Sequence, residues 1–253
     1  MKNVCANTHP IDKTVFDALF LNVFQANGLE KYVTEAGMDV FRRLTERMLT
    51  VNAVMNLTAL TTIEKIIPLH YADCALIADR FPLGASVADV GCGGGFPTLP
   101  VAILRPDLHI TAIDSTDKKV RYVNETACLL GLSNVCGVTA RAEELGRDSE
   151  KRESFDVVVS RAVARMNVLN ELCYPLCRIG GTVLFLKGAA GQDELDEAAV
   201  GIQRLGGDEP VLETYALDTM GELETRTLVT IQKRRATPPE FPRVFGQIRK
   251  RPL

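Results

Sequence analysis

The stretch "SVADVGCGGGFPTLPVAI", from Ser86 to Ile103, combines a short apolar run, an acidic residue, four glycines and two prolines. The small and β-branched residues from Val87 to Val90 predict a buried strand. Glycines directly after a strand remove the Cβ atoms that would block a ligand lying against the chain, and they allow backbone conformations that other residues avoid. Since an α/β sheet presents ligands at the carboxyl ends of its strands, the stretch predicts a nucleotide-like cofactor site.

The chain after Ser86 alternates β-branched runs with segments of helical length. The runs are SVADVG, HITAID, NVCGVTA, FDVVVS, TVLFLKG, PVLETYAL and TRTLVTIQKR. This alternation predicts a parallel sheet wound with helices, two of which we place at 117–130 and 167–178. Only a short loop around Gly221 joins the last two runs, so the final strand should be antiparallel to its neighbour. The predicted fold class is therefore α/β, with seven strands.

The residues on either side of the sheet predict three regions. Phe41, Leu44 and Met48 recur at helical spacing, which indicates a helical N-terminal extension over 1–82. The cofactor domain follows at 83–234. The segment 235–253 is basic and rich in proline, and we expect it to form an extended arm.

Composition restricts the class of protein. A 253-residue chain with 46% hydrophobic residues can bury a real core, and its net charge of -3 gives no overall signature of nucleic-acid binding. There is no signal-peptide pattern and no apolar stretch long enough to cross a bilayer. The seven cysteines are scattered and have no zinc-ligand spacing. These features predict a cytoplasmic protein without a metal site or a membrane partner.

The spacing of the loop glycines discriminates between cofactor classes. A nicotinamide fingerprint requires a third glycine at the position that Phe96 occupies, and a phosphate-binding loop requires a Gly-Lys-Ser/Thr sequence that is missing. The pattern acid-x-Gly-x-Gly-x-Gly from Asp89 to Gly95 resembles the cofactor loop of methyltransferases that use S-adenosylmethionine. Asp114, at the end of the next strand, is placed to accept hydrogen bonds from two ribose hydroxyls in either class.

Four separated strings carry a narrower resemblance. They are "MNLTAL" at 55–60, "GCGGGFPTLPVAILRPD" at 91–107, "VSRAVA" at 159–164 and "LFLKG" at 184–188. In this order and spacing they resemble the RsmG (GidB) family, bacterial methyltransferases that modify N7 of one guanine in 16S ribosomal RNA. The similarity extends from about Val51 to the C-terminus. It implies the class I methyltransferase fold, with S-adenosylmethionine as cofactor and 16S ribosomal RNA or the small ribosomal subunit as partner. We expect the enzyme to be a monomer.

The predicted site residues follow from the loop and from this resemblance. The predicted cofactor-binding residues are Asp89, Gly91, Gly93, Gly95, Phe96, Asp114, Ser115, Ala142, Glu143 and Arg161. The predicted catalytic residues are Arg161, Asn56 and Lys187. Asn56 is equally suited to cap the next helix, and His70 and Asp73 on one helical face are interpreted as packing residues.

Methylation at N7 requires no general base, because the lone pair of that nitrogen carries no proton. Catalysis then depends on alignment and electrostatics, with Arg161 as the leading candidate for a hydrogen bond to guanine O6. The product base is cationic, so an arginine beside it would oppose the transition state unless a carboxylate compensates its charge. The basic tail is expected to contact RNA phosphates, and its cations are Lys233, Arg234, Arg235, Arg243, Arg249, Lys250 and Arg251.

Two other functions remain open at this point. One is a nicotinamide-dependent oxidoreductase on a Rossmann sheet, which Phe96 disfavours. The other is a non-catalytic, ribosome-associated RNA-binding protein, which the intact glycines and Asp114 disfavour.

Overall fold

A single seven-stranded sheet organises the chain. The computed structural model describes residues 10–161 and 163–253. The strands are β1 Ser86–Val90, β2 His109–Asp114, β3 Val135–Thr139, β4 Phe155–Arg161, β5 Cys177–Lys187, β6 Val211–Asp218 and β7 Leu223–Gln232. Their order is β3-β2-β1-β4-β5-β7-β6, and β7 is antiparallel to both of its neighbours while the other pairs are parallel. The predicted mostly parallel sheet with an antiparallel last strand is confirmed.

The helices of the described residues precede and connect these strands. They are α1 Lys13–Ala26, α2 Glu35–Met55, α3 Ile63–Ile66, α4 Asp73–Ala75, α5 Thr98–Leu104, α6 Asp117–Leu130, α7 Ala142–Leu145, α8 Met166–Cys173, α9 Gly191–Arg204 and α10 Phe245–Lys250. A π-helical turn, Ile67–Ala72, joins α3 to α4. The helix predicted at 117–130 is confirmed. The one predicted at 167–178 ends early, because Pro175 has no N–H to continue the helical hydrogen bonds.

Apolar side chains alternate between the two faces of the sheet and give two cores. Val87 points to one face, where it shares a core with Phe16, Phe20 and Phe41 of the N-terminal helices. Ala88 points to the other face, which is covered by side chains of α8, α9 and α10. The N-terminal helices are therefore built into the core of the cofactor sheet. The first nine residues of the predicted 1–82 extension lie outside the described residues.

The C-terminal segment is anchored to the domain, so the expectation of an extended arm is wrong. Phe241 and Ile248 are buried in the second core. The fully buried carboxylate of Glu171 accepts hydrogen bonds from Arg243 Nε at 2.9 Å and Nη2 at 2.6 Å. The apolar side chains and this ion pair hold the segment in place.

Lys233 is also not a free cation for phosphate, as the tail prediction assumed. Its side chain is fully buried, and Nζ donates to Glu153 Oε1 at 2.6 Å and to the carbonyl oxygens of Tyr174 and Cys177. An ammonium has three hydrogens to donate, and burial disfavours its charge unless it is paired, so the Glu153 carboxylate and the two carbonyl oxygens compensate it. Lys233 therefore holds the end of β7 to the start of β5.

None of the described helices is both long and apolar enough to span a membrane.

Candidate active site

Most of the predicted site residues lie at one edge of the sheet, beside β1, where the strand order reverses: β2 and β3 follow on one side of β1, and β4 and β5 on the other. This edge carries the carboxyl ends of β1, β2, β4 and β5 together with the amino end of β7, and such a reversal of strand order is the usual ligand position in this architecture. Three cavities adjoin there through shared residues. The β2 slot, about 230 Å³, is lined by Gly91, Ile113, Asp114, Ser115, Ala142, Glu143, Leu172, Val163 and Phe245 among others. The loop cavity, about 330 Å³, lies beside Leu57, Thr58, His70, Gly91, Gly93, Phe96, Asp114, Lys119, Arg161 and Val163. The β7 cavity, about 300 Å³, is lined by Leu60, Leu69, Asp73, Arg161, Leu186, Lys187, Gly188, Tyr215, Glu224 and Arg226.

The glycine loop turns sharply out of β1 and into α5. Gly91 and Gly95 have φ of +79° and +87°, a region that side chains disfavour. A Cβ on Gly91 would lie 2.4 Å from Val163, and one on Gly95 would lie 2.6 Å from Leu99. Gly91 therefore lets Val163, which lines both the β2 slot and the loop cavity, approach the backbone at the site.

Asp114 lies where the β2 slot meets the loop cavity. Its carboxylate accepts hydrogen bonds from Gly93 N at 3.1 Å and from Thr116 N at 2.8 Å. Each oxygen keeps a second lone pair, since a carboxylate can accept about four hydrogen bonds. The ribose-binding role predicted for Asp114 is thus geometrically available, with Ser115 beside it in the slot.

The β2 slot also contains a residue that sequence analysis assigned to the tail. Phe245, the first residue of α10, lines the slot together with Ala142 and Glu143. The Arg141 guanidinium stacks on the Phe245 ring at 4.9 Å, and Arg141 Nε donates to Glu143 at 2.5 Å. The sequence shows Phe245 only as an aromatic residue after the prolines of the tail. It does not show that this side chain would line the β2 slot.

Asp89 lies under the loop and lines none of the three cavities. It is fully buried, and its Oδ2 accepts a hydrogen bond from Thr98 Oγ1 at 2.6 Å, which fixes the start of α5. Its Oδ1 has no hydrogen-bond partner among residues 10–161 and 163–253. Burial raises the pKa of Asp89 to about 6. A buried oxygen without a protein partner is suited to a bound water. Because Asp89 lines none of the cavities, its direct contact with the cofactor stays a prediction.

Arg161, at the end of β4, is held by side chains from the π-helical turn and α4. Its Nη1 donates to Asp73 Oδ2 at 2.7 Å and to the carbonyl oxygen of Leu69 at 3.2 Å, and its Nη2 lies 2.8 Å from His70 Nδ1. The guanidinium also lies over the Phe96 ring at 5.5 Å. Within the described residues, Nε and one Nη2 hydrogen are not used by these bonds, so they are available to a substrate.

His70 is fixed in one neutral form by these contacts. An arginine can only donate, so His70 Nδ1 must accept, and Nε2–H then donates to Thr58 Oγ1 at 2.9 Å. Burial and the charge of Arg161 lower the pKa of His70 to about 3. The ring stacks on Phe96 at 4.0 Å. Packing, the role predicted for His70, is therefore combined with positioning of Arg161.

Asp73 supplies the carboxylate that the sequence argument required beside Arg161. Its side chain is 6% exposed, and its second oxygen accepts from Arg226 Nε at 3.1 Å. Arg226 Nη1 in turn contacts Glu224 at 2.8 Å. The result is a row of alternating charges from Arg161 to Glu224. A polar pair on an apolar helix was the available signal for Asp73, and its partners on β4 and β7 are 88 and 153 residues away.

The other two predicted catalytic residues are placed differently from Arg161. Lys187, at the end of β5, lines the β7 cavity, but its Nζ is paired with Glu194 at 2.8 Å and donates to the Ala164 carbonyl. Asn56 is exposed, with φ of +50°, and ends α2. The alternative that Asn56 caps the following helix is wrong. Its neighbours Leu57 and Thr58 line the loop cavity, and a catalytic role for Asn56 stays a prediction.

Comparison with known proteins gives a consistent family. A family model described as GidB, rRNA small subunit methyltransferase G, matches residues 38–215. A Ribosomal RNA small subunit methyltransferase G from Exiguobacterium sp. is 41% identical over 94% of this chain and 99% of its own length. One of the same description from Clostridium perfringens is 41% identical over 80% of this chain and 84% of its length.

Solved structures support the fold class. A SAM-dependent O-methyltransferase from Thermotoga maritima superposes with a TM-score of 0.51 over 74% of this chain and 71% of its own, at 12% identity. The M. jannaschii TYW2 structure in complex with AdoMet gives a TM-score of 0.52 over 65% of this chain and 75% of its own, at 16% identity. The sheet is therefore that of class I methyltransferases, as predicted.

Proposed function

Because the chain belongs to the GidB family of rRNA small subunit methyltransferases, we propose that it methylates N7 of one guanine in 16S ribosomal RNA. The family makes it a methyltransferase that uses S-adenosylmethionine. The observation that supports the proposed chemistry most directly is Arg161, held between the loop cavity and the β7 cavity with its charge balanced by Asp73.

The residues at the sheet edge fit the methyl donor. Asp114 offers acceptors for a ribose diol, and the β2 slot has apolar walls suited to an adenine ring. Gly91, which lacks a Cβ, lines both the β2 slot and the loop cavity. When bound, S-adenosylmethionine supplies a methyl carbon on a sulfonium, and as the N7 lone pair forms the new C–N bond the C–S bond breaks and its electrons remain on sulfur.

The remaining task of the protein is alignment. No proton leaves N7 in this displacement, so none of the groups around Arg161 has to act as a base. His70, kept neutral, places no positive charge of its own beside the base that becomes cationic. Asp73 offsets the charge of Arg161, which allows the arginine to donate to O6 without opposing the developing charge.

The two alternative functions are not favoured. Phe96 occupies the position of the third glycine of a nicotinamide loop, and it is used there as a platform for His70 and Arg161. A non-catalytic protein would have no requirement for the cavities around Asp114 and Arg161. Family membership over most of the chain agrees with an enzyme.

The proposal is tested by mapping the modified nucleotide. Cells that lack the protein provide small subunits and deproteinised 16S rRNA, which are each incubated with it and a methyl-labelled donor. We expect label at N7 of a single guanosine, located by cleavage specific for 7-methylguanosine. Label on another atom, or on many guanosines equally, would contradict the proposal. We further propose that the enzyme acts as a monomer in the cytoplasm without a metal, since an unprotonated nitrogen needs no Lewis acid.

Phe245→Ala is expected to weaken donor binding about 10-fold, because stacking on an aromatic wall contributes about 1 to 3 kcal/mol per base. Titration calorimetry with S-adenosylhomocysteine measures the change. Gln247→Ala, in the exposed part of the same helix, is the matched control and should bind as the unaltered protein does. Equal affinity of the Phe245 variant would remove α10 from the cofactor site.

Loss of the α10 cations is expected to reduce the salt dependence of RNA binding. Truncation after Ala236 would not test this, because it would remove Phe241 and Ile248 from the core. The double variant Arg249→Ala, Lys250→Ala removes two exposed charges instead. The slope of log Kd against log salt should fall by about 1 to 2, as expected for two phosphate contacts.

The control for this measurement removes two charges at the opposite edge of the sheet. Arg178, near the start of β5, and Arg234, just after β7, are exposed there and pair with Asp156 and Asp208. Because Arg234 lies at the edge opposite the cavities, the phosphate contact predicted for it from the tail sequence is no longer expected. Their double alanine variant should keep the original slope. An equal decrease in both doubles would indicate a general effect of net charge and would exclude α10 as a specific RNA contact.

A further inference from the structure

The β7 cavity contains charges that the proposed methyl transfer does not itself require. Arg226 and Glu224 project from the amino end of β7, beside Arg161 and Asp73. Glu224 is 40% exposed and uses one oxygen, Oε2, to contact Arg226. A carboxylate that remains half-exposed at the rim of a cavity, with its guanidinium partner turned towards Asp73, can still accept hydrogen bonds from a ligand.

We propose that the β7 cavity binds the target base and that Glu224 accepts hydrogen bonds from N1–H and the 2-amino group of guanine. This rests on the proposed function and specifies how the same site selects its base. The cavity, about 300 Å³, is at the lower end of small-molecule sites, as a single base requires. Leu60, Leu69 and Tyr215 give it apolar and aromatic walls for the faces of a ring.

The order of charges along the cavity matches the order of groups around guanine. N7 and O6 are acceptors on one side of the ring, and N1–H and the 2-amino group are donors that follow O6. Arg161 shares the loop cavity with Gly91 and Asp114, so it lies on the side of the methyl donor. From Arg161 the ion pairs run through Asp73 and Arg226 and end at Glu224. A base with N7 towards the methyl donor and O6 at Arg161 directs its remaining donors towards Glu224.

Glu224 would then act on both selectivity and rate. Adenine presents an amino group at position 6 and an acceptor at N1, so it would oppose Arg161 with a donor and Glu224 with a lone pair. A site whose polar groups pair with the correct substrate rejects an analogue that leaves them unpaired. Methylation gives the ring a positive charge, so hydrogen bonds from N1–H and the 2-amino group to a carboxylate strengthen as the methyl group is transferred.

The test combines a change in Glu224 with removal of the 2-amino group from the substrate. Small-subunit rRNA is assembled by splinted ligation with either guanosine or inosine at the mapped position, and is used in the form, free or in subunits, on which the unaltered enzyme is active. For the unaltered enzyme we expect kcat/KM to be about 10- to 100-fold lower on inosine, the effect of losing one hydrogen bond to a charged group. Glu224→Ala should be slower on guanosine and should no longer distinguish the two bases. Affinity for S-adenosylhomocysteine, which must be retained, reports that the variant is folded.

Glu222→Ala, in the exposed loop of the same hairpin, is the matched control and should keep the preference for guanosine. The inference is overturned if the Glu224 variant retains the full preference, if the unaltered enzyme shows none, or if the Glu222 variant loses it equally. Absence of any N7 label on guanosine with the unaltered enzyme would instead contradict the proposed function, and the two failures are thereby separated.

Discussion

Replacement of Arg161 by alanine is expected to slow methyl transfer about 10²- to 10³-fold, the usual cost of removing one preorganised hydrogen-bond donor from an active site. The guanidinium is held by Asp73, Leu69 and His70, and these bonds leave two of its N–H groups unused within the described residues. Its loss removes the contact to guanine O6 and leaves Asp73 paired with Arg226 alone. Single-turnover transfer of labelled methyl to 16S rRNA, at saturating donor, measures the chemical step.

A conservative variant separates this effect from a loss of folding. Arg161→Lys keeps a positive charge beside Asp73 but cannot reproduce the planar fork that contacts three partners. We expect it to melt closer to the unaltered protein than the alanine variant does, because a buried carboxylate keeps its counter-charge, and to remain at least 10-fold slow. Near-normal turnover of either variant would refute the role of Arg161, provided that donor affinity is unchanged.

The sheet and the glycine loop could be predicted from local sequence because their determinants are local. Val87 to Val90 and the glycines after them specify a buried strand and a tight turn within a few residues. The helix at 117–130 is bounded in the same way, by Gly131 at its C-terminus. The error in α8 was local as well, since Pro175 was visible and marked its end.

The partners of Arg161 could not be predicted in this way. Asp73 lies 88 residues before Arg161, and Arg226, close to Glu224 on β7, lies 153 residues after Asp73. Only the antiparallel insertion of β7 beside β5 brings these residues to one edge. Phe245 presents the same difficulty, because its position depends on how Arg243 binds the buried carboxylate of Glu171. Counting the charges of the tail also gave a wrong role for Lys233, because its buried ammonium is paired with Glu153, 80 residues earlier.

The structure also explains why the separated strings belong together. Thr58 from the first string, Phe96 from the second and Arg161 from the third contact one residue, His70, which lies in none of them. The fourth string ends with Lys187 on the wall of the β7 cavity. The neutral His70 ring is oriented by its hydrogen bond to Thr58 and in turn positions Arg161. A substitution at Thr58 should therefore change the position of the Arg161 guanidinium.

Replacement of Asp114 by alanine should abolish most donor binding. Two hydrogen bonds from ribose hydroxyls to a carboxylate, at about 1.5 to 3 kcal/mol each, correspond to a loss of affinity of about 10²-fold or more. The same substitution releases Gly93 N and Thr116 N, which the carboxylate now holds in the loop and at the start of α6. Calorimetry with S-adenosylhomocysteine measures the loss, and thermal melting without ligand reports the structural part.

The control for Asp114 is Asp117→Ala, three residues along in the first turn of α6. Asp117 is exposed, pairs with Arg121 and lines none of the three cavities, so its loss should change donor affinity less than about 3-fold. Because both variants remove one acidic group near the same helix, their difference isolates the direct contact from the general field of the loop. Similar affinities for the two variants would show that the ribose is held elsewhere, and the β2 slot would then lose its assignment as the adenosine site.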